Sequence, residues 1–242
     1  MKICCIMQAR MGSSRLPGKV LEPLLGKPVL WWDMYRLAKC RYLDEVIVAT
    51  TTEARDDQIV NLCEAEGWLC FRGDENDVLD RYYRCAKERE ADVVVRVTSD
   101  CPLIEPAVTD RVIATYLSAY PVVDYVNNFE RQTFPLGFAT EVFSFAALEA
   151  AWKEDTKPEW REHVTPYLYR TPGRFRLLGV ENAEDYSQIR VTLDTPQDYQ
   201  LITRLYQHFG HGDFCWADWM AVIKANPEWL EINSDVKQKV LL

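Results

Sequence analysis

The sequence predicts an α/β fold: a doubly wound, mainly parallel sheet carrying an α+β insertion. Three observations lead there. Strand and helix signals alternate through the first hundred residues. Asp92–Val97 holds a run of consecutive valines, the pattern of a strand buried on both faces of a parallel sheet. The alternation breaks after Ala119 and returns at Gln188. The 242 residues read as one domain spanning 1–242. Within it, residues 120–185 form an inserted lobe, and 210–242 a C-terminal helical extension.

Taken in order, Lys2–Gln8 is a short apolar strand followed by a loop rich in Gly, Ser and Pro. Pro28 opens a helix that runs to Cys40. Glu45–Thr50 is the second strand, Ala54–Glu66 a helix stopped by Gly67, and Trp68–Phe71 a third strand. Asp77–Glu88 is helical, with Val78, Leu79, Tyr82 and Cys85 along one stripe. Asp92–Val97 is the fourth strand. In the middle region Val122–Asn127, Thr140–Phe143 and Phe175–Val180 read as strands. Ser144 caps a helix through Trp152, and Glu159–Arg170 reads as another. Gln188–Leu193 is a strand. Thr195-Pro196 opens a helix to Phe209, and a last helix covers Trp216–Ala225. Right-handed crossovers would gather the loops at the carboxyl ends of the parallel strands on one edge, where such sheets bind ligands.

Composition narrows the function. Lys and Arg number 28 against 37 Asp and Glu, a net charge of −9. That balance argues against a duplex nucleic-acid binder, whose affinity comes from phosphate neutralisation. No apolar run approaches the roughly 20 residues that span a bilayer, and Met1–Ala9 is too short for a signal peptide. The expectation is a cytoplasmic protein with no membrane partner. The eight cysteines form no C-x-x-C pair, and there are three histidines, so neither a zinc ribbon nor a His-rich metal site is expected. In a reducing compartment these cysteines act mostly as small buried apolar residues. Trp152, Trp160, Trp216 and Trp219 read as core or interface aromatics.

The loop Gln8-Ala9-Arg10-Met11-Gly12-Ser13-Ser14-Arg15-Leu16-Pro17-Gly18-Lys19 carries the chemistry. It leaves the first strand, and its Gly and Ser residues let backbone amides converge on an anion. Arg10, Arg15 and Lys19 can neutralise a polyphosphate. Five residues separate Gly12 from Gly18 and Val20 follows Lys19, so it is not a Walker A loop, and it lacks G-x-G-x-x-G. The plain alternative is a basic surface turn. Two acidic residues follow strands on the same edge. Asp100 comes after the Asp92–Val97 strand, and Asp194 ends Gln188–Leu193. Two carboxylates facing a triphosphate are a common way to hold Mg²⁺. Equally, Asp100 could stabilise a turn before Pro102, and Asp194 could favour the helix start.

The Gln8–Lys19 motif resembles the opening of sugar-activating cytidylyltransferases. The CMP-Kdo and CMP-sialate synthetases carry a related pattern, and the spore-coat polysaccharide biosynthesis branch is the nearest in motif. Further segments carry the resemblance: Phe71-Arg72-Gly73 with Asp77-Val78-Leu79-Asp80-Arg81-Tyr82, Arg96 to Ile104, Glu141-Val142-Phe143-Ser144, Arg161 to Pro166, and Leu193-Asp194-Thr195-Pro196. The resemblance spans residues 1 to about 210. It implies a nucleotide-diphospho-sugar transferase-like (GT-A-type) fold, CTP and a sugar or sugar-acid acceptor as substrates, Mg²⁺ as cofactor and a homodimer. Arg10, Arg15, Lys19, Asp100 and Asp194 would be catalytic, the last two holding the metal. Gln8, Ala9, Gly12, Ser13, Ser14, Arg72, Thr98 and Ser99 would join the cationic residues of the loop in binding the nucleotide. Glu141, Arg161, Glu162 and His163 would bind the acceptor, and the lobe of residues 120–185 would serve acceptor binding and dimerisation. Two departures stand out: Thr98-Ser99 replaces the Gln-Gly often found before the first Asp, and Ala139 replaces an Asp of the acceptor segment. A glycosyltransferase using a nucleotide sugar is the alternative, disfavoured because Thr98-Ser99-Asp100 lacks the first acid of D-x-D. A non-catalytic nucleotide-binding homologue is the other.

Overall fold

The computed structural model describes residues 1–238. The chain runs β1 (Ile3–Gln8), a small hairpin of β2 (Pro23–Leu24) and β3 (Lys27–Pro28), α1 (Val29–Leu37), β4 (Glu45–Thr51), α2 (Asp57–Glu66), β5 (Leu69–Gly73), α3 (Val78–Glu88) and β6 (Val93–Thr98). It continues through α4 (Pro106–Ala119), β7 (Tyr125–Asn127), β8 (Glu141–Ser144), α5 (Phe145–Glu154), α6 (Pro158–His163), α7 (Pro166–Arg170), β9 (Leu177–Gly179), α8 (Pro196–Phe209) and α9 (Trp216–Ala225).

Seven strands form one sheet in the order β5-β4-β1-β6-β8-β7-β9. The first four are parallel, as the alternating pattern predicts, and β8 runs antiparallel between β6 and β7. The pleat divides β1 between two cores: Ile3, Cys5 and Met7 face one apolar cluster, Cys4 and Ile6 the other. Residues 120–185, expected as an added lobe, contribute β7, β8 and β9 to this same sheet and lay α5 and α7 against the second cluster.

Local chemistry fixes the ends that matter for function. The Asp77 side chain accepts from the Asp80 amide at 2.9 Å and starts α3. Thr195 and Asp198 close a reciprocal capping box on α8, with Pro196 at its first position, and Gly210 ends that helix at φ 71°.

Four expectations need correction. Gln188–Leu193 is extended but does not join the sheet, because β8 occupies the edge of β6. It bonds to loops instead: Leu136 N to Ile189 O at 2.9 Å, Val191 N to Leu136 O at 2.8 Å, and Leu193 N to Asp100 O at 2.7 Å. Glu159–Arg170 splits into α6 and α7, since Pro166 disfavours helix before it and Val164 turns to φ 71°. The strand expected from Val122 starts at Tyr125, because the Val122 and Val123 amides bond back to Ala119 O. Phe175–Val180 shortens to β9. Among the described residues no helix is long and apolar enough to cross a membrane, and all eight cysteines are free. The last four residues of the expected C-terminal extension lie outside the described residues.

Candidate active site

The parallel strands β1 and β6 end side by side, with Gln8 opposite Thr98. Beyond these ends lies a cleft of about 590 Å³. The loop after β1 forms one wall. A buried carboxylate anchors it: Asp56 accepts from the Met11 amide at 2.7 Å and from the Thr51 hydroxyl. Gly18, at φ 74°, turns the loop back so that its amide reaches Met11 O, and Lys19 then points inward.

Lys19 is the hub. Its ammonium lies 2.7 Å from Asp100 Oδ2, 2.8 Å from Asp194 Oδ1 and 2.8 Å from Leu193 O. Burial alone would lower its pKa, but Asp100 and Asp194 outweigh that and hold it above the ordinary lysine value. Asp194 is held from its other side by Arg15 at 2.8 Å and by buried Arg190 at 2.7 Å. Burial pushes the Asp194 carboxyl up, yet Lys19, Arg190 and Arg15 bring it below the usual range. Arg190 is itself fixed by Asp198, the capping-box partner of Thr195 at the start of α8. Thr98 donates to Asp100 Oδ1 at 2.5 Å. The two carboxylates expected to meet across the cleft are thus brought together on one cation.

Most of the expected nucleotide loop lines this cleft: Gln8, Ala9, Arg10, Gly12, Ser13, Ser14, Arg15 and Lys19, facing Thr98, Ser99, Asp100 and Asp194. Glu162 and His163 line the same cleft, and Arg10 pairs with Glu162 at 3.4 Å. Burial and the nearby Arg96 hold His163 below the ordinary histidine value, hence neutral at pH 7.

Three expected residues sit outside the lining. Arg72 is tied to Thr51 O, Glu53 O and Asp57. Arg161 clamps α6 to α3 through Asp77 and also bonds Trp152 O and Asp155 O. Glu141 is buried behind the wall, paired with Arg96 and accepting from Tyr125 OH at 2.8 Å.

Residues not singled out from sequence also line the cleft, among them Arg81, Arg96, Leu136, Gly137, Thr192 and Gln238. One signal was available for Arg96: a permanent charge inside a valine run needs a buried partner. Gly137 approaches the opposite segment so closely that a Cβ there would lie 2.9 Å from Thr192 N. Its φ of 115° also suits glycine alone.

The family model for cytidylyltransferases matches residues 4–214. The chain belongs to the cytidylyltransferase family. It is accordingly a nucleotidyltransferase. A Methanocaldococcus jannaschii protein designated MJ1063 is 41% identical over 99% of this chain and 97% of its own length. The spore coat polysaccharide biosynthesis protein SpsF of Bacillus subtilis is 32% identical over 93% of this chain and 95% of its own. The solved structure of a cytidylyltransferase from Leptospira borgpetersenii superposes with a TM-score of 0.92 at 32% identity, covering 99% of both chains. The central sheet with helices on both faces is therefore the cytidylyltransferase fold.

Proposed function

We propose that this cytidylyltransferase moves the CMP group of CTP onto a hydroxyl of a sugar or sugar acid and releases pyrophosphate, with Mg²⁺ as cofactor. The observation that carries the reading is the single Lys19 ammonium held by both Asp100 and Asp194 beside the cation-lined loop. Two carboxylates that converge on one ammonium have the donor chemistry for a divalent cation. Among the described residues no third His, Cys, Asp or Glu joins them. That suits Mg²⁺, which keeps several waters and leans on substrate phosphates. When bound, Mg²⁺ supplies neutralisation of phosphate charge.

The chain's own residues do the rest. Arg10, Arg15 and Lys19 orient the triphosphate, and Lys19 exchanges its carboxylate partners for phosphate oxygens. Charge-assisted contacts of this kind stabilise the charge that develops on the leaving pyrophosphate. Glu162 and neutral His163 face the acceptor, whose hydroxyl can donate to the imidazole. Glu141 and Arg161 act from behind the wall, the first through Arg96 and the second by seating α6. The name of the Bacillus subtilis relative supports a sugar of a surface polysaccharide as the acceptor.

Pyrophosphate release is the test, with each nucleoside triphosphate, Mg²⁺ and a panel of sugars and sugar acids. The expected result is release with CTP and a sugar or sugar acid. Release with UTP or ATP in preference to CTP overturns the reading. We also infer a homodimer through residues 120–185. Most of the apolar residues there are buried in the chain's own core, so the support comes from Tyr120, Val122 and Leu178, which are exposed. Light scattering should give twice 28.2 kDa, and a monomer refutes it.

A further inference from the structure

If CTP is the donor, something in this cleft must tell cytosine from uracil, and the inference here rests on that reading. Among the described residues two side-chain amides line the cleft, Gln8 and Gln238. Gln238 accepts from Arg190 beside Asp194, at the carboxylate end. Gln8 ends β1 at the floor. Thr98, its register partner on β6, has its hydroxyl committed to Asp100. Arg72 is occupied by Thr51 O, Glu53 O and Asp57 and lies outside the lining. That leaves Gln8 as a neutral side-chain amide in the lining whose side-chain bond is to Arg96 and not to the Lys19 cluster, a group that matches a base rather than a phosphate.

The orientation of the Gln8 amide is fixed. Arg96 Nη2 donates to Gln8 Oε1 at 3.2 Å. A guanidinium has only donors, so it accepts one flip of the amide and not the other. Arg96 in turn is paired with Glu141, directly across the β6–β8 register, and Glu141 Oε2 accepts from Tyr125 OH at 2.8 Å. Strand pairing therefore sets the position of the whole row. Its outcome is that the carbonyl of Gln8 is spoken for and the NH₂ end is the one left for the cleft.

Cytosine and uracil differ at the ring nitrogen N3, which accepts a hydrogen bond in cytosine and donates one in uracil. An amide that offers only N–H satisfies cytosine and sets donor against donor with uracil. Mismatched polar groups of this kind are what give strong discrimination in a buried site. We propose that the row Glu141–Arg96–Gln8 selects the base: Gln8 donates to cytosine N3, and Arg96 and Glu141 are positioning residues that hold the amide in its donating flip.

Gln8→Glu tests it with little change in shape, since a carboxylate still partners Arg96. The expected result is that the CTP-to-UTP ratio of kcat/KM falls roughly tenfold or more, through loss with CTP, while the KM for the acceptor stays put. Arg96→Lys keeps the charge opposite Glu141 but removes the second nitrogen that fixes the amide. It should narrow the same ratio, through loss with CTP. Should that variant fail to fold, wild-type protein titrated with 3-deazacytidine triphosphate decides the point, because that analogue has C–H in place of N3. Binding weaker than CTP by roughly tenfold or more is expected, and equal binding overturns the proposal. An unchanged ratio in Gln8→Glu, or a rise confined to the acceptor KM, overturns it as well. Failure of the CTP reading looks different: wild-type protein then shows no preference for CTP at all.

Discussion

Asp100 and Asp194 come from separate segments of the chain and bond the same Lys19 ammonium, at 2.7 and 2.8 Å. The backbone reinforces the meeting, because Leu193 N also bonds Asp100 O at 2.7 Å. Lys19 therefore joins the two carboxylates, and its removal leaves Asp100 without its cation while Asp194 keeps Arg15 and Arg190.

Lys19→Ala should lower turnover by about 10²- to 10³-fold, the usual scale for one preorganised charge contact in a transition state. It should also lower the melting temperature in metal-free buffer, since Asp100 loses its cation and two anions stand close. Added Mg²⁺ should recover more of the melting temperature in the variant than in wild type. Turnover and melting curves with and without Mg²⁺ check this. Wild-type turnover, or no metal-dependent gain, removes Lys19 from its assigned place.

Asp194→Asn separates a metal carboxylate from a helix-start residue. The capping work on α8 is done by Thr195 and Asp198, which bond each other reciprocally. A role confined to the helix start thus predicts an active, slightly less stable variant, whereas the metal role predicts loss of turnover. The pH dependence follows from linkage. Asp194 is held below the usual carboxylate value, with burial opposed and outweighed by Lys19, Arg190 and Arg15. Its stabilisation is present above the unfolded pKa, about 3.9, and is lost as pH falls through the folded value. The stability gap between wild type and Asp194→Asn should therefore be widest near neutral pH and close below pH 4 or so. Denaturant titrations at several pH values measure it. A gap independent of pH counts against the ion pairs.

The contrast between what was and was not legible in sequence has a physical basis. The β1 loop, Asp100 and Asp194 were readable because glycines, cations and strand-end acids leave local signatures. The parallel half of the sheet was readable from its apolar runs. Arg72 lies outside the cleft lining and Arg96 within it for a nonlocal reason. Which guanidinium faces the cleft depends on Thr51 and Glu53 offering carbonyls to one and β8 offering Glu141 to the other. The mistaken strand at Gln188–Leu193 has the same origin: its apolar alternation satisfies a strand pattern, but β8 had already taken the place beside β6.

His163→Ala probes the opposite wall. Burial comes first and Arg96 second in holding this imidazole neutral. The folded pKa lies below the unfolded one, so the unfolded chain takes up the proton first and stability falls as pH drops below about 6.5. His163→Ala should reduce that loss between pH 6.5 and the lower folded value, and should raise the KM for the acceptor more than that for CTP. Equal stability profiles in the two proteins, together with an unchanged acceptor KM, would leave His163 without a role in the cleft.

Arg81 gives the sharpest separation of stability from function. It lines the cleft and is 1% exposed, yet among the described residues its Nε and Nη1 have no hydrogen-bond partner. Burial depresses its pKa, first of all causes, but an arginine stays protonated. Gly73 is pressed against its stem, for a Cβ there would fall 2.9 Å from Arg81 Cγ. Unpaired buried donors cost about 1–3 kcal/mol, and among the described residues no ion pair of Arg81 offsets that. Arg81→Met keeps the stem and removes the donors. The variant should therefore melt higher than wild type, the reverse of the usual result for a large buried side chain. If the guanidinium is kept for an anionic or acceptor-rich ligand, nucleotide affinity should fall in the same variant, a trade of function against stability. Differential scanning calorimetry and a CTP titration on one preparation read both quantities. A lower melting temperature would mean that the side chain is partnered in the folded chain. A higher one with full CTP affinity would make Arg81 a passive cost rather than part of the site.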